Sequence, residues 1–233
     1  MHYDFDLKID KVDSLSKSDF NVAEKDWLLN EAQLVLVKTR YGVRNNDRLG
    51  FEGNQKRIDD LSSLVIKSPL QPALIPTSHS NGVLEVKLSD LIYPYLFLIR
   101  TYGASEDCED LISLKFVQHD DLNYLLDDPF NSPSKFEIPY NFGRSSSSTG
   151  SSLYIYPAGV NLSKVFIDYI KIPRQVNLGN YTYIDGNVLP QTSSELPEHL
   201  HNEIVDVAVQ IASGIIEHPQ YVQLKTQKLF THE

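Results

Sequence analysis

Residues His199-Leu200-His201-Asn202-Glu203 carry imidazole and carboxylate groups, the donors that zinc and related ions take from proteins. On a helix His199 and Glu203, four positions apart, share a face, whereas His201 lies two positions from each and points elsewhere. No cysteine and no third histidine stands close in sequence. The expected role of the segment is therefore structural, in the first turn of a helix, and no metal is assigned.

Gln118-His119-Asp120-Asp121 places a group that titrates near neutrality beside carboxylates that could orient it for general acid-base work. No nucleophile accompanies it, and Asp120 is expected to cap a following short helix. Nucleophile-elbow, phosphate-loop, dinucleotide-turn, zinc-protease and paired-cysteine motifs are all missing. The expectation is a non-enzyme, with no catalytic, cofactor-binding or metal-binding residue and no cofactor.

Charge supplies the sharper constraint. The 233 residues hold 21 basic and 31 acidic side chains, a formal −10, which argues against tight binding of nucleic-acid phosphates. Between Ala104 and Asp128 stand Glu106, Asp107, Glu109, Asp110, Asp120, Asp121, Asp127 and Asp128 against Lys115 alone, a net −7. Glu106, Asp107, Glu109 and Asp110 are candidates for a surface that faces DNA without gripping it, or that docks a basic partner. A solvated loop face is the plainer reading.

The single cysteine, Cys108, cannot close an intrachain disulfide, which suits a reducing compartment. The N-terminus has neither the basic lead nor the apolar run of a signal peptide. The apolar stretch Leu91 to Ile99 is broken at Tyr93-Pro94-Tyr95 and falls short of the roughly 20 residues that span a bilayer, so no membrane association is expected.

These groups must be positioned by three helices and a β region. Asn21 and Glu24 fit a capping box, Leu28, Ala32, Val35, Leu36 and Thr39 recur at helical spacing, and Gly42 is a stop, predicting a helix over 22–41 about 30 Å long. A second helix is expected from Phe51 to Lys67, ended by Pro69, and a third from Ser194-Glu195-Leu196-Pro197 to Pro219. Between them, Pro and Gly punctuate short runs rich in Tyr, Phe, Val and Ile. Strands are expected near 83–88, 95–104, 111–118, 136–140, 153–156 and 164–171, with a short helix near 120–126 and a Ser/Gly loop over 144–152.

The expected fold class is α+β: a helical bundle formed by the N- and C-terminal helices with an inserted antiparallel β-sandwich-like module. The expected divisions are 1–68, 69–190, 191–218 and a docking tail over 219–233. Leu28, Ala32, Val35, Ile58, Leu61, Ile204, Ala208 and Ile211 should share one core. The tail carries Tyr221, Leu224, Leu229 and Phe230, more apolar surface than a solvated tail needs, and these are candidates for an oligomer or stacking interface.

Several segments carry a family resemblance: Asp26-Trp27-Leu28-Leu29-Asn30-Glu31-Ala32-Gln33, Gly50-Phe51-Glu52, Val117-Gln118-His119-Asp120-Asp121-Leu122-Asn123, Asp168-Tyr169-Ile170-Lys171-Ile172-Pro173 and Glu195-Leu196-Pro197-Glu198-His199-Leu200-His201-Asn202-Glu203. With Ile204-Val205 continuing the last of them, they spread from Asp26 to Val205 and resemble ring proteins from the portal vertex of crAss-like tailed bacteriophages. The resemblance implies a structural virion protein: a head-to-tail connector or adaptor ring, commonly of twelve copies, stacked between portal and tail and threaded by double-stranded DNA. It also implies assembly in the host bacterial cytoplasm and no catalytic residues. Acidic channel walls would keep the duplex mobile. The alternatives are a carbohydrate-binding or other non-catalytic β-sandwich module, marked by clustered exposed aromatics, and a carboxylate-based hydrolase, marked by a deep pocket.

Overall fold

The computed structural model describes residues 1–12, 20–41, 55–67, 74–76, 82–105, 111–128, 130, 134, 136–144, 150–157, 159–179, 181–182, 188 and 190–215. In chain order its elements are α1 (His2–Val12), α2 (Val22–Tyr41), α3 (Gln55–Leu61), β1 (Val65–Lys67), β2 (Leu74–Pro76), β3 (Leu84–Lys87), β4 (Tyr95–Ser105), β5 (Leu111–Phe116), α4 (His119–Asp127), β6 (Glu137–Arg144), β7 (Ser151–Ile155), β8 (Leu162–Lys171) and α5 (His201–Ile215). The protein is mixed α+β. It divides into two compact units, Met1–Leu64 with Pro173–Glu233, and Val65–Ile172.

In the first unit α2 packs on α5 and α3, and α1 packs on α5. The start of α2 follows from its capping residues, since Glu24 reaches back to accept from the Asn21 N–H at 2.8 Å. Leu28, Leu29, Ala32, Leu61, Ile204 and Ala208 are fully buried, and each large aliphatic among them stabilises the fold by about 1.5–3 kcal/mol. Val35, Ile58 and Ile211, expected in the same core, are half-buried at its margin. α1 is not among the three expected helices, yet its Phe5 is wholly buried and meets Phe20 edge-on at 5.8 Å.

The expected long second helix is corrected. It stops at Leu61, tightens to a 3₁₀ turn over Ser62–Leu64 and continues as β1, with Val65 paired to Ile170. Two serines followed by β-branched Val65 and Ile66 favour this change, because their helix propensity is low and their fit to a pleated sheet is good. The third helix starts later than expected: a 3₁₀ turn over Glu198–Leu200 precedes α5.

In the second unit the strands form one sheet in the order β1-β8-β4-β5-β6-β7-β3-β2. β2, at the far end of that order, touches β8, so the sheet curls toward itself. Its core is formed by Val86, Ile112, Leu114, Ile138, Leu153, Ile155, Val165, Ile167 and Tyr169. The expectation of an antiparallel sandwich gives way to this single mixed sheet. β5 and β6 pair in parallel, Leu114 opposite Ile138, because α4 carries the chain over between them as a parallel pair requires.

Tyr154 shows how tightly β6 and β7 are matched. Its ring lies over Gly143, where an added Cβ would sit 2.3 Å from the ring, and its hydroxyl donates to the Arg144 carbonyl at 2.7 Å. Only glycine leaves room for that ring.

Candidate functional site

The residues singled out for chemistry are distributed among structural pairings. His199 Nε2 donates to Asp60 Oδ1 at 2.8 Å, His201 Nε2 donates to the Leu196 carbonyl at 3.1 Å, and Glu203 accepts from Arg40. Asp60 is buried and also lies 3.1 Å from Arg40 Nε. The 3₁₀ turn and α5 are thereby tied to α2 and α3 by an ionic node in which each candidate metal donor already has a protein partner. His119 Nδ1 accepts from Asn141 Nδ2 at 3.2 Å on β6, while Asp121 is exposed on α4. Contrary to expectation, the residue capping α4 is Gln118, and Asp120 sits inside the first turn.

Glu106, Asp107, Glu109 and Asp110 lie outside the described residues, as do Tyr221, Leu224, Leu229 and Phe230. Asp120, Asp121 and Asp127 are exposed along α4, and Asp128 accepts from the Phe130 N–H at 2.8 Å.

A second polar feature carries no signal in the local sequence. Asp26, Asn30 and Gln33 recur at spacings of four and three along α2, so they form one stripe of the helix. Asp26 and Gln33 are almost completely buried. The stripe grips the irregular chain from Arg174 onward. Asn30 Oδ1 accepts from the Val176 N–H at 2.7 Å and Asn30 Nδ2 donates to the Val176 carbonyl at 2.9 Å. Gln33 donates to the Arg174 carbonyl at 3.0 Å and accepts from Ser194 Oγ at 2.6 Å. Asp26 accepts from His2 Nε2 at 2.6 Å, from Tyr181 Oη at 2.6 Å and from the Leu178 N–H at 3.2 Å. A buried segment without helix or ladder must find its hydrogen bonds elsewhere, and α2 supplies them. The same segment pairs Asn177 with Thr192 and turns at Gly179, where φ is +77°.

A surface feature that could meet a partner lies on the second unit, where the end of β5 meets α4. Phe116, Val117, Tyr124 and Leu125 line an open groove of about 500 Å³ bordered by Asp121 and Asp128. Tyr124 is 80% exposed and Phe116 50% exposed, although the Phe116 ring is held at 5.9 Å from Tyr140 and 5.6 Å from Phe142. Phe130 and Phe136, in the connection after α4, are also largely exposed. Beneath this surface, burial raises the Tyr140 phenol above its usual range, partly offset by a hydrogen bond with Thr101.

Comparison with known families accounts for the shared segments. The family model described as phage tail ring protein 3/4 matches residues 2–222 of this chain. Among curated proteins, none matches it at an acceptable level of significance. The match covers nearly the whole chain, including the α2 stripe, the α4 groove and the α5 node, and the chain belongs to this family of crAss-like phage ring proteins.

Proposed function

We propose that this phage tail ring protein forms a homo-oligomeric connector or adaptor ring between portal and tail, surrounding the channel through which double-stranded DNA passes. The family match over residues 2–222 carries the reading, since a ring subunit is a structural virion protein that associates with itself and with other phage proteins. Twelve copies are expected, located at the neck of the virion after assembly in the host cytoplasm. The helices of the first unit act as a bundle, with Val65–Ile172 as the inserted β module, in place of the expected 69–190, and 219–233 as a docking tail.

The chemistry is consistent with passage of DNA without grip. A chain of net charge −10 repels a duplex overall, which opposes the many phosphate contacts whose salt-dependent affinity would slow ejection. In this reading Glu106, Asp107, Glu109 and Asp110 face the channel or a basic neighbour. The protein has no turnover and no cofactor, and no helix among the described residues is long and apolar enough to cross a membrane.

Native mass measurement of the purified chain, alone and with the portal of its phage, tests the proposal. A closed multi-copy species that binds portal is the expected result. A protein that remains monomeric in both conditions, or a virion reconstruction that places it away from the neck, would overturn the reading.

A further inference from the structure

We infer that the groove between β5 and α4 is the seat for the C-terminal segment of a second copy of this chain, Tyr221 to Phe230. This rests on the ring reading above and names the contact that would join one subunit to the next. The groove offers exposed aromatic surface at Phe116 and Tyr124 beside the carboxylates of Asp121 and Asp128. Among the described residues that line it, the one lysine or arginine is Lys115, which is engaged 2.8 Å from Glu137. α4 itself carries Asp120, Asp121 and Asp127 and no lysine or arginine.

The helix dipole sharpens that electrostatic demand. Asp127 and Asp128 stand at the C-terminal end of α4, where the partial charge of the helix is already negative, so a cation brought there is favoured. Tyr221 to Phe230 complements this surface in charge and in apolar content. It holds Lys225 and Lys228 and no acid, a local +2 in a chain of net −10, interleaved with Tyr221, Leu224, Leu229 and Phe230. Aromatic and aliphatic side chains can fill the groove while the lysines meet its acidic edge, and complementary charge fixes register and partner choice.

The topology of such a contact suits a ring. Donor tail and acceptor groove are different patches of the same chain, so their union is heterologous and passes from copy to copy until the rotation closes. Many copies of a weak contact then give a stable assembly.

The test uses full-length protein carrying a photoreactive benzoylphenylalanine at Phe230, mixed with isotopically heavy protein without it, and irradiated after native mass has established the assembly state. The expected product joins the light tail to heavy peptides spanning residues 115–128. Tyr124→Ala or Asp121→Lys should lower that yield by about tenfold, the effect of losing an anchor worth about 1.4 kcal/mol. Asp121→Lys combined with Lys225→Glu should restore it. The unsubstituted groove is mapped by the first crosslink, so a variant that fails to fold leaves that readout intact. Rings whose tails crosslink elsewhere, or only to their own chain, overturn this inference and leave the ring reading standing. Absence of any multi-copy species, alone or with portal, removes both.

Discussion

Asn30 holds the backbone of Val176 by both of its polar groups, its carbonyl oxygen 2.7 Å from the Val176 N–H and its amide nitrogen 2.9 Å from the Val176 carbonyl, across 146 positions of sequence. The side chain imitates a neighbouring strand where no strand exists. Together with Asp26 and Gln33 it allows the chain after β8 to run without regular structure against α2.

Asn30→Ala removes both partners at once. The change should destabilise the protein by about 1–3 kcal/mol for each group left unsatisfied, diminished if water enters. Urea denaturation measures it, and a loss below about 0.5 kcal/mol, the range of ordinary surface substitutions, would contradict the clamp.

Ile204 lies at 0% exposure on α5. Ile204→Ala should cost about 2–5 kcal/mol, and Ile204→Asp should prevent folding, because a carboxylate there has no partner. Thermal denaturation followed by circular dichroism distinguishes these outcomes. A well-folded aspartate variant would refute the packing of α5.

Gly179 combines a φ of +77° with a backbone approach in which an added Cβ would lie 2.9 Å from the Gln191 nitrogen. Gly179→Ala should destabilise, since the backbone conformation and the close contact both oppose a side chain. Alanine that stabilises the protein, as it does at sites with negative φ, would show that the turn can be rebuilt.

Burial pushes the phenols of Tyr140 and Tyr169 above the ordinary value of 10.0. Folding therefore favours their protonated forms. The associated stability is complete below pH 10, where the unfolded phenol begins to ionise, and is lost as pH rises toward the higher folded values. Denaturation midpoints should fall steeply above pH 10. Tyr140→Phe should shallow that dependence, and ultraviolet titration should show late, unfolding-coupled phenolate formation. An unchanged pH slope in the variant would exclude Tyr140 as a contributor.

Local signals sufficed where one element contains its own explanation. The Asn21–Glu24 cap and the apolar spacing of Leu28, Ala32 and Leu36 determine α2 before any partner is known, and alternating β-rich runs locate β3 to β8 to within a few residues. Segments scattered from Asp26 to Val205 resemble those of phage ring proteins, and the family match over residues 2–222 agrees with that resemblance. The sequence could not reveal distant partners. Asp26, Asn30 and Gln33 look like an ordinary polar stripe until the segment after Pro173 folds onto them, and His199 looks like a metal donor until Asp60 arrives 139 positions away. Likewise, strand periodicity cannot choose between a sandwich and one curled sheet, since a strand's pattern records which face is buried and not which edge is paired. Tertiary structure made those choices by satisfying buried backbone and charge over long separations, and it placed Phe116 and Tyr124 beside the acids of α4 to form the groove.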